Sequence, residues 1–279
     1  MKQASRTTKT VAFIFLFMMM VIWIVPLLWG ILTSFKSEAE LQLGAFSMLP
    51  AHWVLDNYKN LLFNDASTPL LHWFTNSMVI AVGNTLLVLV VDSLAAFAYD
   101  RLQFRGKNVL FAFLLGTMMF PAVVNIIPLY KIVDTLGWVN TKWAMIVPGA
   151  AGVFNIFLIR QFMHNIPTSF DEAARMDGAG DLTIFMKVIL PLAKPVLYVV
   201  ALFTFTGSWN DFLWPSIVFN DVESMPITPG LQLLQGMHAN QPTLLMAGAL
   251  IAIVPTFILY LFAQKYFLQS MSLSAGVKG

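Results

Sequence analysis

The segment between Lys9 and Lys36 contains no charged residue, and its centre reads VAFIFLFMMMVIWIVPLLWGIL. A helix needs about 20 mainly apolar residues to cross the hydrocarbon core of a bilayer. A secretory signal peptide has a shorter apolar region of about 7–15 residues, followed by a small-residue cleavage site. Neither feature fits this segment, which therefore predicts an uncleaved transmembrane helix.

The rest of the chain has the same apolar character. Hydrophobic residues make up 58% of the 279 residues and charged residues only 11%, whereas about a quarter of an ordinary globular domain is charged. The apolar runs predict a single all-α membrane domain over residues 1–279. Its six predicted spans lie at about 11–33, 73–99, 108–130, 143–160, 196–219 and 244–264.

The composition and the absence of certain motifs exclude several functional classes. The chain has no cysteine, which rules out disulfides, thiolate catalysis and cysteine-ligated metals. Its net charge of +2 is too small to indicate nucleic-acid binding. No G-x-x-x-x-G-K-[ST] phosphate loop is present, so the sequence predicts no ATP hydrolysis by this chain. The four histidines have no metal-binding spacing, and we assign no metal.

Lysine and arginine predict the orientation. All but four of the 16 Lys and Arg residues lie before span one, between spans two and three, between spans four and five, or after span six. The exceptions are Lys36, Lys59, Lys131 and Lys142. Because cytoplasmic loops carry the excess of basic residues, these segments and both termini are predicted to be cytoplasmic.

The polar segment 167–191 lies between the fourth and fifth predicted spans and contains DEAARMDGAGDLTIFMKVILP. Ser169 and Glu172 have the spacing of a capping box at a helix start. Gly178 is placed to end that helix in the left-handed conformation. Asp181 is placed to cap a second helix, LTIFMKVIL, which the following proline ends. The pattern predicts a short helix, a glycine turn and a second helix.

The first of these helices has an unusual distribution of side chains. A helical wheel groups Phe170, Ala173 and Ala174 on one face. The other face carries Asp171, Glu172 and Arg175, of which Asp171 and Arg175 are spaced to pair. Helices that rest on lipid usually carry Lys and Arg opposite large apolar residues. Acids and alanines instead favour docking into a groove of a partner protein, with lipid contact as the alternative.

The same segment resembles a known signature. Glu172-Ala173-Ala174, Gly178 and Val188-Ile189-Leu190-Pro191 are similar to the EAA motif of ABC-importer permeases, with Val188 in place of isoleucine. In that family the segment is the coupling helix that docks on the ATP-hydrolysing subunit. The resemblance implies ATPase coupling through seven residues: Asp171, Glu172, Ala173, Ala174, Arg175, Asp177 and Gly178.

Three further segments narrow the resemblance. Residues Ala96–Lys107, Gly207–Val218 and Ser272–Gly279 are similar to the MalG-like member of the permease pair in carbohydrate importers of the maltose type. The resemblance implies a type I importer fold with six transmembrane helices in a bacterial cell membrane. It also implies that Ser274, Gly276 and Lys278 in the tail contact the ATPase subunits.

The family resemblance further implies a set of partners. These are two ATPase subunits that use ATP and Mg, a second MalF-like permease, an extracellular sugar-binding protein, the sugar and membrane lipid. The chain itself is expected to bind no cofactor and to catalyse no reaction. Alternating access would then be driven by rigid-body movement of the spans.

Candidate residues for the sugar pathway are polar or aromatic and lie within predicted spans. They are Trp209, Asn210 and Asp211, with Asn125 and Asn155 as weaker candidates. The alternatives are that Trp209 and Trp214 form an interfacial aromatic belt and that the asparagines join neighbouring spans.

Two other features leave alternatives open. Asp92 is an acidic residue within span two, for which a structural partner is favoured over a role in proton transfer. A proton-driven secondary transporter acting through Asp92, or a scaffold that recruits a cytoplasmic partner, are the competing functions. The external Asp221–Pro242 loop carries a Leu231–Leu234 patch, which could dock the binding protein or cover the bundle.

Overall fold

The computed structural model describes residues 6–42, 47–64 and 67–276, and in these residues every regular element is a helix. This confirms the predicted all-α class. The α-helices, in chain order, are α1 Arg6–Ser34, α2 Glu38–Gln42, α3 Asp56–Lys59, α4 Leu70–Arg101, α5 Lys107–Thr117, α6 Ile126–Thr135, α7 Trp143–Ile146, α8 Val153–His164, α9 Ser169–Met176, α10 Asp181–Ile184, α11 Leu190–Leu192, α12 Lys194–Asn210, α13 Leu213–Val218, α14 Ile227–Met237 and α15 Pro242–Gly276.

Three helical segments of the described chain are individually long and apolar enough to cross a membrane: Thr7–Ser34, Leu70–Arg101 and Pro242–Phe262. Two bent pairs add up to two more spans. Lys107–Thr117 and Ala122–Thr135 meet at 94°, and Asp181–Leu192 and Lys194–Asn210 meet at 79°. The described residues therefore supply three to five candidate spans, and the number six stays a prediction.

Proline and glycine explain two interruptions that the apolar pattern did not reveal. The third predicted span bends at the Met118–Pro121 segment between α5 and the short 3-10 turn Ala122–Asn125. The fourth is divided into the four-residue α7 and the 12-residue α8, with Pro148, Gly149 and Gly152 in the gap. Proline lacks the amide hydrogen that a continuous helix requires, and glycine lowers helix propensity.

The described residues of 6–70, together with 230–253, form one compact unit. The apolar side chains of α1 are exposed along the helix, including Phe13 and Trp23, as expected for a surface that faces lipid or another membrane protein. The end of α1 is fixed by a side-chain contact, because the Asn57 amide donates hydrogen bonds to the carbonyls of Ser34 and Lys36.

The leucine patch of the loop that is predicted to be external belongs to this first unit, and it is not exposed as a docking surface would be. Leu234 is fully buried. A Cβ atom built on Gly248 of α15 would lie 3.0 Å from Leu234 and 3.2 Å from Leu231. These leucines pack on α15, so docking of a binding protein through the Leu231–Leu234 patch is not supported, and the covering role is favoured.

The described residues of 71–229 and 254–276 form the second unit, in which two apolar cores are seen among the described residues. One core joins α4, α8, α12 and the segment from α10 to Ala193, and includes Phe97, Ile159 and Phe185. The other joins α4, α6, α7 and α13, and includes Val133 and Val218. The first core holds the end of α4 against the polar segment 167–191.

Candidate functional site

The polar segment 167–191 forms the predicted first helix and glycine turn, but the N-cap of the helix is not the predicted residue. Helix α9 begins at Ser169, its N-cap is Thr168, and no side chain caps it. The predicted capping box of Ser169 and Glu172 is therefore wrong, because Ser169 already lies in the first turn. Gly178 has a φ of +80°, which confirms the left-handed turn after α9.

The second predicted helix is also irregular. It begins at Asp181 with Gly180 as its N-cap, so Asp181 is the first helical residue and not the cap. Residues 185–189 form a π-helical turn, and α11 ends at Leu192. The proline at 191 therefore lies inside α11 instead of ending the helix, because its position near the start of α11 requires no amide hydrogen bond.

One face of α9 is open and the other packs on the first core. Phe170, Glu172, Ala173 and Met176 are exposed, with Met176 89% accessible. Ala174 is half-buried against the core. The two alanines thus have different environments, and the exposed face is a small, mainly apolar knob formed by Phe170, Ala173 and Met176.

Arg101, at the end of α4, anchors α9. Its buried guanidinium donates from Nη2 to the carbonyls of Met163 at 2.8 Å and Ile166 at 2.6 Å. Its Nη1 lies 3.2 Å from Oδ2 of Asp171. Its Nε lies 3.0 Å from Oδ2 of Asp100, in a geometry that makes an ionic contact but no hydrogen bond. One side chain therefore joins α4, the end of α8 and α9.

Asp171 has an unusual environment for a carboxyl group on a short surface helix. Oδ1 is buried and has no hydrogen-bond partner among the described residues. Burial raises the pKa of Asp171, and the neighbouring Arg101 and Arg175 guanidinium groups oppose this effect only in part. The attraction between Asp171 and the arginines therefore does not fully offset the loss of hydration of the carboxylate, which is common when charges are buried.

The predicted Asp171–Arg175 pair is absent. Nη2 of Arg175 lies 2.5 Å from Oδ1 of Asp181, beyond the glycine turn. Both side chains are about half exposed, so this ion pair by itself contributes little to stability. Asp177 is exposed at the C-cap of α9.

The pathway candidates of the fifth predicted span have separate environments. Trp209 is only 2% exposed, packing edge-on against Phe74 and stacked with Phe205. Asn210 is exposed, and its amide donates to the carbonyl of Thr206. Asp211 lies between α12 and α13, and its carboxyl group is near the backbone amides of residues 212–214. Of the three candidates, Trp209 is buried, Asn210 is exposed, and Asp211 is half-buried in the wall of a cavity.

The two weaker candidates also differ. Asn125 is exposed in the 3-10 turn before α6. Asn155 is half-buried in α8, where its amide lies 3.4 Å from Oγ1 of Thr204. This contact joins α8 and α12, which agrees with the interhelical alternative for Asn155.

Two side chains of α4 hold the break between α7 and α8, and only one of them was singled out from the sequence. Asn84 donates to the carbonyl of Ile146 at the end of α7, at 3.0 Å. Asp92 accepts the amide hydrogen of Gly152, the N-cap of α8, with both carboxylate oxygens at 3.2 Å. The structural partner expected for Asp92 is therefore present. The Pro148-Gly149 pair within the predicted fourth span is the sequence signal for such a break.

The tail is partly outside the described residues. Ser274 and Gly276 lie in the last turns of α15, whereas Lys278 is outside the described residues. Within the described residues no group of three or more His, Cys, Asp or Glu side chains could hold a metal ion.

Comparison with known proteins connects this geometry to a family. Residues 93–273 match the family model "binding-protein-dependent transport system inner membrane component". The chain is 35% identical over 258 residues to an arabinooligosaccharide transport permease of Halalkalibacterium halodurans, covering 91% of each chain. It is 32% identical to a trehalose/maltose transport permease of Thermococcus litoralis, covering 92% of this chain and 93% of that protein.

Solved structures give the same result. A chain of a bacterial ABC transporter that imports the acidic polysaccharide alginate superposes with a TM-score of 0.84 and 27% identity, covering 96% of this chain and 100% of that one. A chain from an alginate ABC transporter in complex with a pentasaccharide-bound periplasmic protein superposes with a TM-score of 0.65 at 12% identity, over 92% and 93% of the two chains. The second likeness concerns the fold alone.

Proposed function

We propose that this chain, which belongs to the family of inner membrane components of binding-protein-dependent transport systems, is a permease subunit of an ATP-driven importer of oligosaccharides. The observation that carries this proposal is the α9 knob. It exposes an apolar surface to a partner, and Arg101 ties it to two helices of the bundle. Movement of a partner on α9 is thereby passed to α4 and α8.

The partner on the knob is an ATPase subunit of the same importer. Phe170, Ala173 and Met176 form a compact surface suited to insertion into a groove. Glu172 and Asp177 lie beside this surface and can pair with basic groups of the partner. Two such subunits would use ATP and Mg, while this chain positions the knob and holds the glycine turn at its fixed angle.

The remaining partners follow from the type of system. An importer of this family includes an external binding protein, and the alginate transporter with its loaded periplasmic protein illustrates one such complex. A second, MalF-like permease would complete the pathway beside this chain. The exposed apolar side chains of α1 provide a surface that lipid or this second permease can cover.

The substrate class follows from the relatives, which are named for arabinooligosaccharides and for trehalose or maltose. Asn210, which is exposed, and Asp211, which is half-buried in a cavity wall, are the pathway candidates of the fifth span. Asn125 contributes a second exposed amide, whereas Trp209 and Asn155 support these residues from within the packing. The tail residues Ser274, Gly276 and Lys278 are proposed to contact the ATPase subunits.

We propose that segment 167–191 and both termini lie in the cytoplasm of a bacterial cell. The distribution of Lys and Arg supports this arrangement, and ATPase subunits are cytoplasmic. The external side then carries the loop between α13 and α14.

Ala173→Trp tests the docking of α9. An added indole on the exposed knob should prevent the ATPase subunit from seating and should lower ATP-dependent sugar uptake at least about tenfold, which corresponds to about 1.4 kcal/mol. Affinity purification of the tagged permease in detergent measures whether the ATPase subunit is retained.

Ala51→Trp is the matched control, because Ala51 is exposed in the segment that follows α2. This substitution adds the same indole group on the predicted external side, so retention of the ATPase subunit should not change. Retention of the ATPase subunit by Ala173→Trp, with normal uptake, would contradict the proposal.

No observation favours the competing proton-driven transporter. Both oxygens of Asp92 contact the Gly152 amide, so the carboxylate has a structural use.

A further inference from the structure

A cavity of about 310 Å³ in the second unit lies where two interrupted helices meet. Its walls come from the gap between α7 and α8, the gap between α12 and α13, and the facing surfaces of α4 and α6. The residues that line it are Asn84, Leu129, Met145, Pro148, Gly149, Gly207, Ser208, Asp211 and Trp214. Ends of discontinuous helices are typical places for substrate sites in transporters.

Two polar side chains of this cavity, Asn84 and Trp214, are held in place by hydrogen bonds to the backbone. The Asn84 amide is bonded to Ile146 at the end of α7. Nε1 of Trp214 donates to the carbonyl of Ala144 at 2.9 Å, which fixes the indole ring. The Asp211 carboxyl group is near the backbone amides at the start of α13. Preorganised groups of this kind lose little conformational entropy when a ligand binds.

Two glycines shape the wall of the cavity, because each lacks a side chain. A Cβ atom on Gly207 would meet nothing within 4 Å, so α12 presents bare backbone beside Ser208. A Cβ atom on Gly149 would lie 2.5 Å from Nδ2 of Asn84. The backbone of the α7–α8 gap can therefore approach α4 only because position 149 is glycine.

We propose that Asn84, Ser208, Asp211 and Trp214 form a subsite for a ring of a neutral oligosaccharide in this chain's part of the pathway. This inference rests on the proposed import function and assigns it a location. An aromatic face can stack on the C–H face of a pyranose or furanose ring, while amide, hydroxyl and carboxyl groups bond its hydroxyls. The volume suits roughly one or two sugar rings, at the lower end of ligand pockets.

The lining also indicates the charge of the sugar. Among the lining residues the ionisable side chain is a carboxyl group, Asp211, and none is basic. A uronate ring would meet this carboxyl group without a cation to pair with, which is unfavourable in a site of low dielectric. We therefore infer a neutral saccharide, in contrast to the acidic polysaccharide of the transporter with the similar chain.

The absence of cysteine makes a direct test possible. Ser208→Cys places a thiol in the cavity wall, and Ser216→Cys places one on the exposed side of α13, away from the cavity. Both are nearly isosteric changes of serine. The rate at which a small methanethiosulfonate reagent modifies each thiol is measured in the assembled transporter with its ATPase subunits and binding protein, reconstituted in vesicles.

The probes are tetrasaccharides of arabinose, galactose, glucose and guluronate, each first assayed for ATP-dependent uptake. A transported neutral tetrasaccharide should slow modification of Ser208→Cys, and about tenfold at ten times the concentration that halves the modification rate. Modification of Ser216→Cys should not change. The guluronate probe should protect neither thiol.

A second variant covers the case in which Ser208→Cys reacts too slowly to be measured. Ser208→Phe fills the cavity and should lower uptake at least about tenfold, equivalent to about 1.4 kcal/mol, while the ATPase subunit still copurifies. Ser216→Phe should leave uptake unchanged.

The outcomes separate the subsite from the function. Transport of a neutral probe without protection of Ser208→Cys, or normal uptake by Ser208→Phe, would overturn the subsite alone. Protection by the guluronate probe would overturn the neutral class. Failure of every probe to be imported by the complete complex would overturn the proposed function.

Discussion

At the residue scale, Arg101 shows how one buried cation can organise three separate segments. Its guanidinium satisfies two carbonyls near the end of α8 and lies beside the carboxylates of Asp100 and Asp171. Arginine suits this position because its planar group presents five donors in a fixed geometry. The sequence marked Arg101 as one of the basic residues that set the orientation and as part of the Ala96–Lys107 resemblance, but not as an anchor of α9.

Arg101→Ala should be far more disruptive than Asp171→Asn. The alanine variant leaves carbonyls and two carboxylates without their cation and should lower the free energy of unfolding by about 3–5 kcal/mol. Asparagine at 171 removes a charge whose burial is already unfavourable, as its raised pKa indicates, and keeps an oxygen for Arg101. Thermal unfolding of the purified complex measures both, and an equal loss in the two variants would contradict this account of the anchor.

Gly178 and Gly180 form a matched pair for testing the turn after α9. A Cβ atom meets nothing within 4 Å at either position, but only Gly178 has a positive φ, at +80°. Gly178→Ala should therefore cost about 1–2 kcal/mol of backbone strain and reduce the uptake obtained per ATP hydrolysed. Gly180→Ala should change neither quantity. Uptake and ATPase activity are measured in parallel for the two variants. An identical ratio of sugar taken up to ATP hydrolysed would show that the left-handed turn does not set the α9 angle.

At the scale of elements, α4 is the support on which the broken segment between α7 and α8 rests. Asn84 bonds the last carbonyl of α7, and Asp92, about two turns further along α4, bonds the N-cap of α8. Unpaired backbone groups are costly in a membrane, so a helix can break there only where side chains replace its hydrogen bonds. The gap that results forms one wall of the proposed saccharide subsite.

Asp92→Asn should retain most uptake, because an asparagine oxygen can still accept the Gly152 amide. Asp92→Leu removes the acceptor and should destabilise the chain by about 1–3 kcal/mol, the cost of leaving a buried donor unsatisfied. Uptake by both variants is measured with and without a protonophore while ATP is held constant. Loss of uptake in Asp92→Asn, together with sensitivity of the original chain to the protonophore, would revive the proton-driven alternative.

At the scale of the whole molecule, the unequal distribution of Lys and Arg predicts which side each loop occupies. Asn165, between α8 and α9, should be cytoplasmic, and Asn220, after α13, should be external. Both are exposed, and the chain has no native cysteine to interfere.

Asn220→Cys should therefore react with a membrane-impermeant maleimide in intact cells, and Asn165→Cys only after permeabilisation. Mass spectrometry of the labelled chain distinguishes the two cases. The reverse pattern would place α9 outside the cell and remove the basis for ATPase docking.

The sequence alone predicted a lipid environment, the helical class and the position of α9, because each depends on local composition or on short spacing. An uncharged apolar run requires a helix in lipid, and Gly178 is compatible with a left-handed turn wherever the chain places it. The EAA pattern likewise lies within one short segment, so its identification needed no knowledge of the packing.

Tertiary structure decided which polar side chains meet. Asp171 lies four residues from Arg175 but contacts Arg101, and Asn84 contacts a carbonyl 62 residues away. Trp209 has the composition of a sugar platform but is buried between two phenylalanines, whereas Trp214 lines a cavity. Local spacing cannot determine such contacts, because each depends on how distant helices pack and where a Pro-Gly segment interrupts them.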